Sequence, residues 1–354
     1  MVDFAASVDD TFLERCGAEK GERRVVTVEE RADILETLDG SSYQVSAGGS
    51  LSNTLVAIAR LGAAEHQLWG SGLLKVAMGS VVGSDPLGKF YCAQLRQAGV
   101  EILTEPQANS NTGTVVVLTT PDANRTMQSY LGTPQELPIT AFLEDAICRS
   151  RVLVIEGYLW EMPNARESIL TAIAGARRSG TLVALTAGDS GLITRHRDDL
   201  WAALDAGADI LFTNRGEAAA LLDRPGCSAE DAALALGPHC GTVVVTDGAN
   251  GSYMCALGQL SVVPPHWATE KPVDTCGAGD AYAAGLLYGL LSGYNVTNMG
   301  RAGARVASTV ISKFGAALTP SEALQLANVL PALEYEQDLW QAASEATVSV
   351  PEAL

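Results

Sequence analysis

The sequence predicts an α/β chain: a doubly wound, mostly parallel sheet with helices on both faces and a small β lid-like appendage. Two observations carry this. Apolar runs of strand length recur at residues 76–82, 115–119, 152–155, 182–185, 210–212 and 243–246. Between most of them lie amphipathic stretches of helix length, such as 164–178 and 195–206. Strands that lack polar alternation are buried on both faces, and the helices between them supply the crossovers of a parallel sheet. Residues 112–131 break the pattern. They read as two strands joined by the turn residues Pro121-Asp122-Ala123-Asn124, a hairpin projecting from the main sheet. After Asp280 the pattern becomes almost wholly helical, and the acidic tail 335–354 reads as an extra helix with a frayed end.

Composition bounds the function. Of 354 residues, 47% are hydrophobic and 18% charged, which suits one large domain over residues 1–334 followed by the tail. The net charge of −18 and a sequence pI near 4.6 repel nucleic acid and anionic membranes, so a bound phosphate must be held locally. No apolar stretch reaches the ~18 residues of a membrane span. The opening MVDFAASVDD lacks a basic start and an apolar core, so the expected setting is intracellular. Seven cysteines (Cys16, Cys92, Cys148, Cys227, Cys240, Cys255, Cys276) are scattered without a CxxC and read as reduced thiols.

Two glycine-rich segments compete for phosphate. Gly83-x-x-x-x-Gly88-Lys89 has the skeleton of a P-loop, but Phe90 stands where a magnesium-binding hydroxyl belongs. Asp85 would also point a carboxylate into the cradle. A helix capped by Asp85 or Ser84 and opened by Pro86 accounts for every residue. No G-x-G-x-x-G follows a strand, which argues against a nicotinamide dehydrogenase. "DTCGAGD" (274–280) passes the same test. Gly277, Ala278 and Gly279 let a ligand approach the backbone, and the helix that follows turns their N–H groups into a place for negative charge. Asp280 in its first turn either complements the helix dipole or acts as general base toward a hydroxyl, and spacing alone leaves both open. Asp274 reads as a tie within the loop. Cys276 reads as a small filler, with the further expectation that a thiol at a helix start has a lowered pKa and serves as a redox switch. Trp69 and Trp160 read as packing residues.

"DTCGAGDAYAAG" resembles the C-terminal signature of the PfkB, or ribokinase-like, family of sugar and nucleoside kinases. "AGGSLSNTLVAIARLG" (47–62) resembles its N-terminal signature, "FTNRGEAAALL" its N-x-x-E segment, and "VVTDGANGSY" its T-x-G-x-x-G nucleotide loop. The order and distances match the family from about residue 2 to about residue 319. "VDFAASVDDTFLERCG" and "GTVVVLTTPDANRTMQSYLGT" resemble the adenosine-kinase-like branch, and within it plant plastid members.

The resemblance implies a ribokinase-like fold and transfer of the γ-phosphoryl of ATP to a hydroxymethyl of a small sugar or nucleoside, with Mg2+ present and room left for K+. It makes Asp280 the base and the N–H groups of Gly277, Ala278 and Gly279 the anion hole. Asp3, Gly48, Gly49, Asn53 and the lid's Arg125 then bind substrate; by themselves Gly48, Gly49 and Asn53 also fit a turn and cap, and Arg125 a solvated arginine. Asn214 and Glu217 fit a capping box, and the resemblance adds ATP phosphates and a metal held by Glu217 through water. Thr246, Gly248 and Gly251 fit a hairpin turn, and the resemblance lays them along ATP; Asp247 departs from the apolar or basic residue expected there. Glu156, ending an apolar strand, is a lesser candidate near the nucleotide. Family members begin with a central strand that delivers an Asp to the substrate. Asp3 matches that Asp, so the strand, with any targeting segment before it, is expected to be absent from this chain. A regulatory or interaction subunit of the same fold, catalytically weak, is the alternative; a monomer or homodimer is expected in either case.

Overall fold

Val243-Val244-Val245 shows how the sequence builds the main sheet. Val243 and Val245 enter one apolar core and Val244 enters another on the opposite face, all three fully buried. Leu211 likewise points away from Ile210 and Phe212. This period of two sandwiches the strands between helix layers. The computed structural model describes residues 1–333 except 39–41, 72, 123, 134–136 and 268–271. The tail expected as an extra helix lies outside the described residues.

In chain order the strands are β1 (Val2–Ser7), β2 (Arg23–Val25), β3 (Tyr43–Ala47), β4 (Val76–Met78) and β5 (Val100–Ile102). They continue as β6 (Thr114–Thr119), β7 (Arg125–Tyr130), β8 (Val152–Glu156), β9 (Leu182–Thr186) and β10 (Ile210–Asn214). Last come β11 (Thr242–Thr246), β12 (Ser252–Ala256) and β13 (Gln259–Val263). The main sheet runs β13-β12-β11-β10-β9-β8, parallel from β8 to β11 and antiparallel beyond. Helices Ser50–Trp69, Ala278–Ser292, Val296–Val310 and Pro320–Val329 pack on one face. Helices Ala141–Cys148, Ala165–Ser179, Ser190–Asp205 and Ala229–Leu236 pack on the other. The mixed, mostly parallel α/β class expected from the sequence is the one observed.

The β appendage is larger than a hairpin. β6 and β7 do pair antiparallel, and their turn is closed by Thr120 N donating to Asn124 O (3.0 Å). Three N-terminal strands join them in the order β2-β7-β6-β1-β3. Other expectations change in detail. The apolar run at 76–82 is a strand only to Met78, because Ser80 N donates to the Thr104 hydroxyl (3.1 Å) rather than to a neighbouring strand. Asp85 caps helix Pro86–Gln97 through Gly88 N (2.7 Å), which gives the P-loop look-alike its structural role. Trp160 is buried, but Trp69 ends its helix 60% exposed and packs no core.

β4 and β5 form a parallel pair of their own. No hydrogen bonds join β4 to β8, and a cavity of about 720 Å3 with largely apolar walls separates them.

Candidate active site

Gly48 and Gly49 bring two distant segments onto one carboxylate. A Cβ on Gly48 would stand 1.9 Å from Asp3 Oδ2, so only glycine lets β1 and this turn approach. Gly49 holds φ at +95° and opens helix Ser50–Trp69. Residues three apart share a helix face, and here Ser50 and Asn53 both aim at Asp280. Ser50 Oγ donates to Asp280 Oδ1 (2.6 Å) and Asn53 Nδ2 to Oδ2 (2.9 Å), while Thr54 Oγ1 donates to the Asp280 carbonyl (3.1 Å). Burial raises the Asp280 pKa, and the Ser50 and Asn53 bonds pull against it. Among the described residues no cation pairs with Asp280. Asp3 lies close enough for the Asp280 charge to act on it, and its own pKa is pushed up to about 6, chiefly by burial.

The glycine loop turns tightly into helix Ala278–Ser292. Gly277 holds φ at +72°, and a Cβ there would meet Ala316 Cβ at 2.5 Å. Gly279 faces open space. The Ala278 N–H donates to Thr275 O at 3.3 Å, whereas the Gly277 and Gly279 N–H groups have no acceptor among the described residues. Asp274 fixes the loop from below. Its carboxylate accepts from Cys276 N (2.9 Å) and Gly315 N (3.1 Å) and pairs with Arg125 Nη1 (3.1 Å). Arg125, the first residue of β7, also donates to the Thr275 hydroxyl, which lays the appendage over the loop as a lid. The Cys276 thiol is not activated. Burial pushes it up to about 11, outweighing the nearby Arg125. This direction agrees with Cys276 as a small filler rather than a redox switch.

On the far side, Asn214 and Glu217 form the capping box the sequence indicated. Glu217 N donates to Asn214 Oδ1, and Asn214 N donates to Glu217 Oε2, both at 2.9 Å. Burial and the charges of Asp189 and Asp280 hold Glu217 at about 7. Glu156 also stands at about 7, raised by burial and then by Asp280, and accepts a long bond from Leu51 N (3.4 Å). Thr246 ends β11, Gly248 and Gly251 lie in the turn that follows, and the structure gives them no direct contact with Asp280. Gly251 is forced by packing, since a Cβ would stand 2.3 Å from Val263 O. Asp247 pairs with Arg215 Nη1 (3.2 Å), tying this turn to the Asn214 helix start.

Sequence reasoning missed Arg23, Asp189, Tyr158 and Ser50. Arg23 of β2 crosses from the lid to pair with Asp189, the cap of helix Ser190–Asp205, and stacks 4.4 Å from the Tyr158 ring centroid. No spacing marks Arg23 in its polar stretch. Ser50 was legible only as a small polar residue at a helix start. The site fits a metal-bound nucleotide on two observations. Buried carboxylates raise one another's pKa with few cations among them, and two loop amides are left without acceptors.

Residues 23–323 match the profile described as pfkB family carbohydrate kinase. A 5-dehydro-2-deoxygluconokinase of Listeria monocytogenes serotype 4b (strain CLIP80459) is 27% identical over 322 residues, covering 86% of this chain and 91% of that protein. A ribokinase of Mus musculus is 29% identical over 72% of this chain and 74% of that one. Among solved structures, the adenosine kinase of Sinorhizobium meliloti superposes with a TM-score of 0.82 at 31% identity, covering 93% of this chain and 96% of that chain. A probable sugar kinase of Rhizobium etli CFN 42 gives 0.81 at 30%, with the same coverage. With the profile spanning most of the chain and the signatures converging on Asp280, the chain belongs to the pfkB family of carbohydrate kinases.

Proposed function

We propose that this kinase moves the γ-phosphoryl of ATP to a hydroxymethyl of a small sugar or nucleoside, with Asp280 as the base. The observation that carries this is a half-buried carboxylate held by Ser50 and Asn53 beside the open amides of Gly277 and Gly279. A hydroxymethyl placed there gives its proton to Asp280 as its oxygen attacks phosphorus. The loop amides then meet the charge on the transferring group. A positioned base contributes about 10²–10⁴ in rate and each well-aimed donor about 3 kcal/mol. Asp3, Gly48, Gly49 and Asn53 line the acceptor side. The turn at Thr246, Gly248 and Gly251 would follow the nucleotide. Glu217 would hold Mg2+ through water beside Asn214; when bound, the ion neutralises phosphate charge. Arg125 must leave Asp274 to reach the phosphoryl group, so its ion pair marks a resting lid position.

Relatives named for a deoxygluconate derivative, ribose and adenosine define the acceptor panel. The test supplies each with ATP and Mg2+, for wild type and Asp280→Asn. Expected are one preferred acceptor, loss of transfer by about 10³ in the variant, and unchanged ATP affinity. Equal turnover by the variant removes Asp280 as base. The gap between β4 and β8 favours the second reading, a subunit without turnover; ATP binding with no transfer to any acceptor decides for it. Plastid residence rests on the resemblance of quoted phrases, and K+ activation on the family resemblance alone. Exchanging K+ for Na+ in the assay tests the latter, and sedimentation separates monomer from homodimer.

A further inference from the structure

Strand register fixes the inner face of the lid. Val2, Phe4 and Ala6 of β1 enter a helix-backed core, so Asp3 and Ala5 face the other way, Asp3 against Gly48. Residues paired across strands share a face. The row beside Asp3 therefore runs Gln44, Ala5, Val117, Met127 and Arg23 through β3, β1, β6, β7 and β2. Two contacts set this face over the site. Arg23 meets Asp189, and Arg125, two residues before Met127, meets Asp274. Val117 is 8% exposed yet belongs to neither core, so its cover comes from the cleft side.

Charge in the cleft is one-sided. The Asp280 charge reaches Asp3, Glu156 and Glu217, and among the described residues no side-chain cation pairs with any of the four. The arginines around the cleft are already matched: Arg23 with Asp189, Arg125 with Asp274 and Arg215 with Asp247. The Met1 amino group donates to Gly48 O (3.4 Å), and burial lowers its pKa. An anion on the acceptor would thus lose water against Ala5, Val117 and Met127 and gain no cation. The nucleotide differs, because its charge has the loop amides of Gly277 and Gly279 to meet it.

We infer that the acceptor side of this cleft takes uncharged molecules and rejects sugar acids and sugar phosphates that carry the same hydroxymethyl. The inference rests on the proposed reading of Asp280 as base and narrows the acceptor class at that site. It parts this chain from the relative named for a deoxygluconate derivative.

The test uses acceptor pairs of one shape that differ in a single charge: ribonamide with ribonate, and 5-carbamoyluridine with 5-carboxyuridine. In each pair kcat/KM with ATP and Mg2+ should favour the amide by about 10²-fold or more. Gln44→Arg adds a cation to the same row at an exposed edge position and should narrow that ratio by about tenfold. Gln44→Met should leave the ratio unchanged. An acid used as well as its amide overturns the inference. So does a ratio that both Gln44 variants move alike, which would trace the preference to shape. Calorimetric affinities for the same pairs, with a non-hydrolysable ATP analogue present, separate this inference from the reaction. Tighter binding of the amide without transfer to any acceptor fails the proposed reaction and supports the inference. Transfer with equal binding and equal use of acid and amide fails the inference alone. A pair of which neither member binds counts against the inference too.

Discussion

Asp280 owes its usable charge to two neutral donors. Burial raises its pKa, and the Ser50 and Asn53 bonds favour the ionised form that the proposed base needs. In Ser50→Ala one bond to the charged form is lost, so the pKa rises further. The acid limb of kcat/KM should then move up by about one pH unit, the ~1.4 kcal/mol of a charge-assisted bond. Activity at pH 6.5 should fall more than at pH 8.5; a uniform loss at every pH would show that Ser50 only shapes the helix start. Glu217 separates its two roles differently. If Glu217→Gln loses only stability, by about 1 kcal/mol, capping is its whole function; the proposed role requires a higher Mg2+ demand as well. Cys276 should be silent. Its protonated thiol predicts equal loss, or none, for wild type and Cys276→Thr after mild peroxide followed by dithiothreitol.

At the scale of elements, the lid is held by two arginines with different partners. Arg125 sits over the phosphate loop through Asp274, and Arg23 reaches Asp189 past Tyr158. The first lies beside the proposed transfer and the second beside the lid's edge strand, so their losses should differ. Arg125→Met should cut kcat by about 10². Arg23→Met should leave kcat within about threefold and raise the acceptor KM by up to tenfold, because an unlatched lid costs binding first. Matching profiles for the two variants would remove the distinction. Asp189 is a poor choice for this test, since it also caps its helix through Leu192 N (2.8 Å). The lid shows which elements a sequence displays. The β6–β7 hairpin announces itself through Pro121, Asp122 and Asn124, turn residues between two β-prone runs. β2 is three residues long, and β3 exposes Tyr43 through Ser46 on both faces, so neither carries an alternation to find. β1 does alternate, with Val2, Phe4 and Ala6 buried. Its Asp3, matched to a strand end, hid that it is itself a lid strand.

For the whole molecule, the site's placement was legible because glycine turns and helix starts are local events. Arg23 with Asp189, 166 residues apart, and the gap between β4 and β8 are products of topology and leave no local trace. One consequence of topology is a concentration of half-buried carboxylates in a chain of net charge −18. Glu156 and Glu217 titrate near 7 in the folded chain against 4.5 when free, and Asp3 near 6 against 3.8. Between those limits the native state holds protons that the unfolded state has lost, so raising the pH across this window lowers stability. Each glutamate's rise corresponds to at most roughly 3 kcal/mol, and their shared field makes the sum smaller than its parts. Asp9, Glu30, Asp85 and Glu322 are shifted down, and their contribution is lost only as the pH falls below the ordinary carboxylate range. The two sets squeeze the stability maximum to about pH 5. The thermal midpoint should therefore fall by several degrees between pH 5 and pH 8. Glu156→Gln with Glu217→Gln should flatten that fall. A wild-type midpoint that climbs steadily to pH 8, or a double variant with the same slope, would mean that these carboxylates are solvated and ionised throughout.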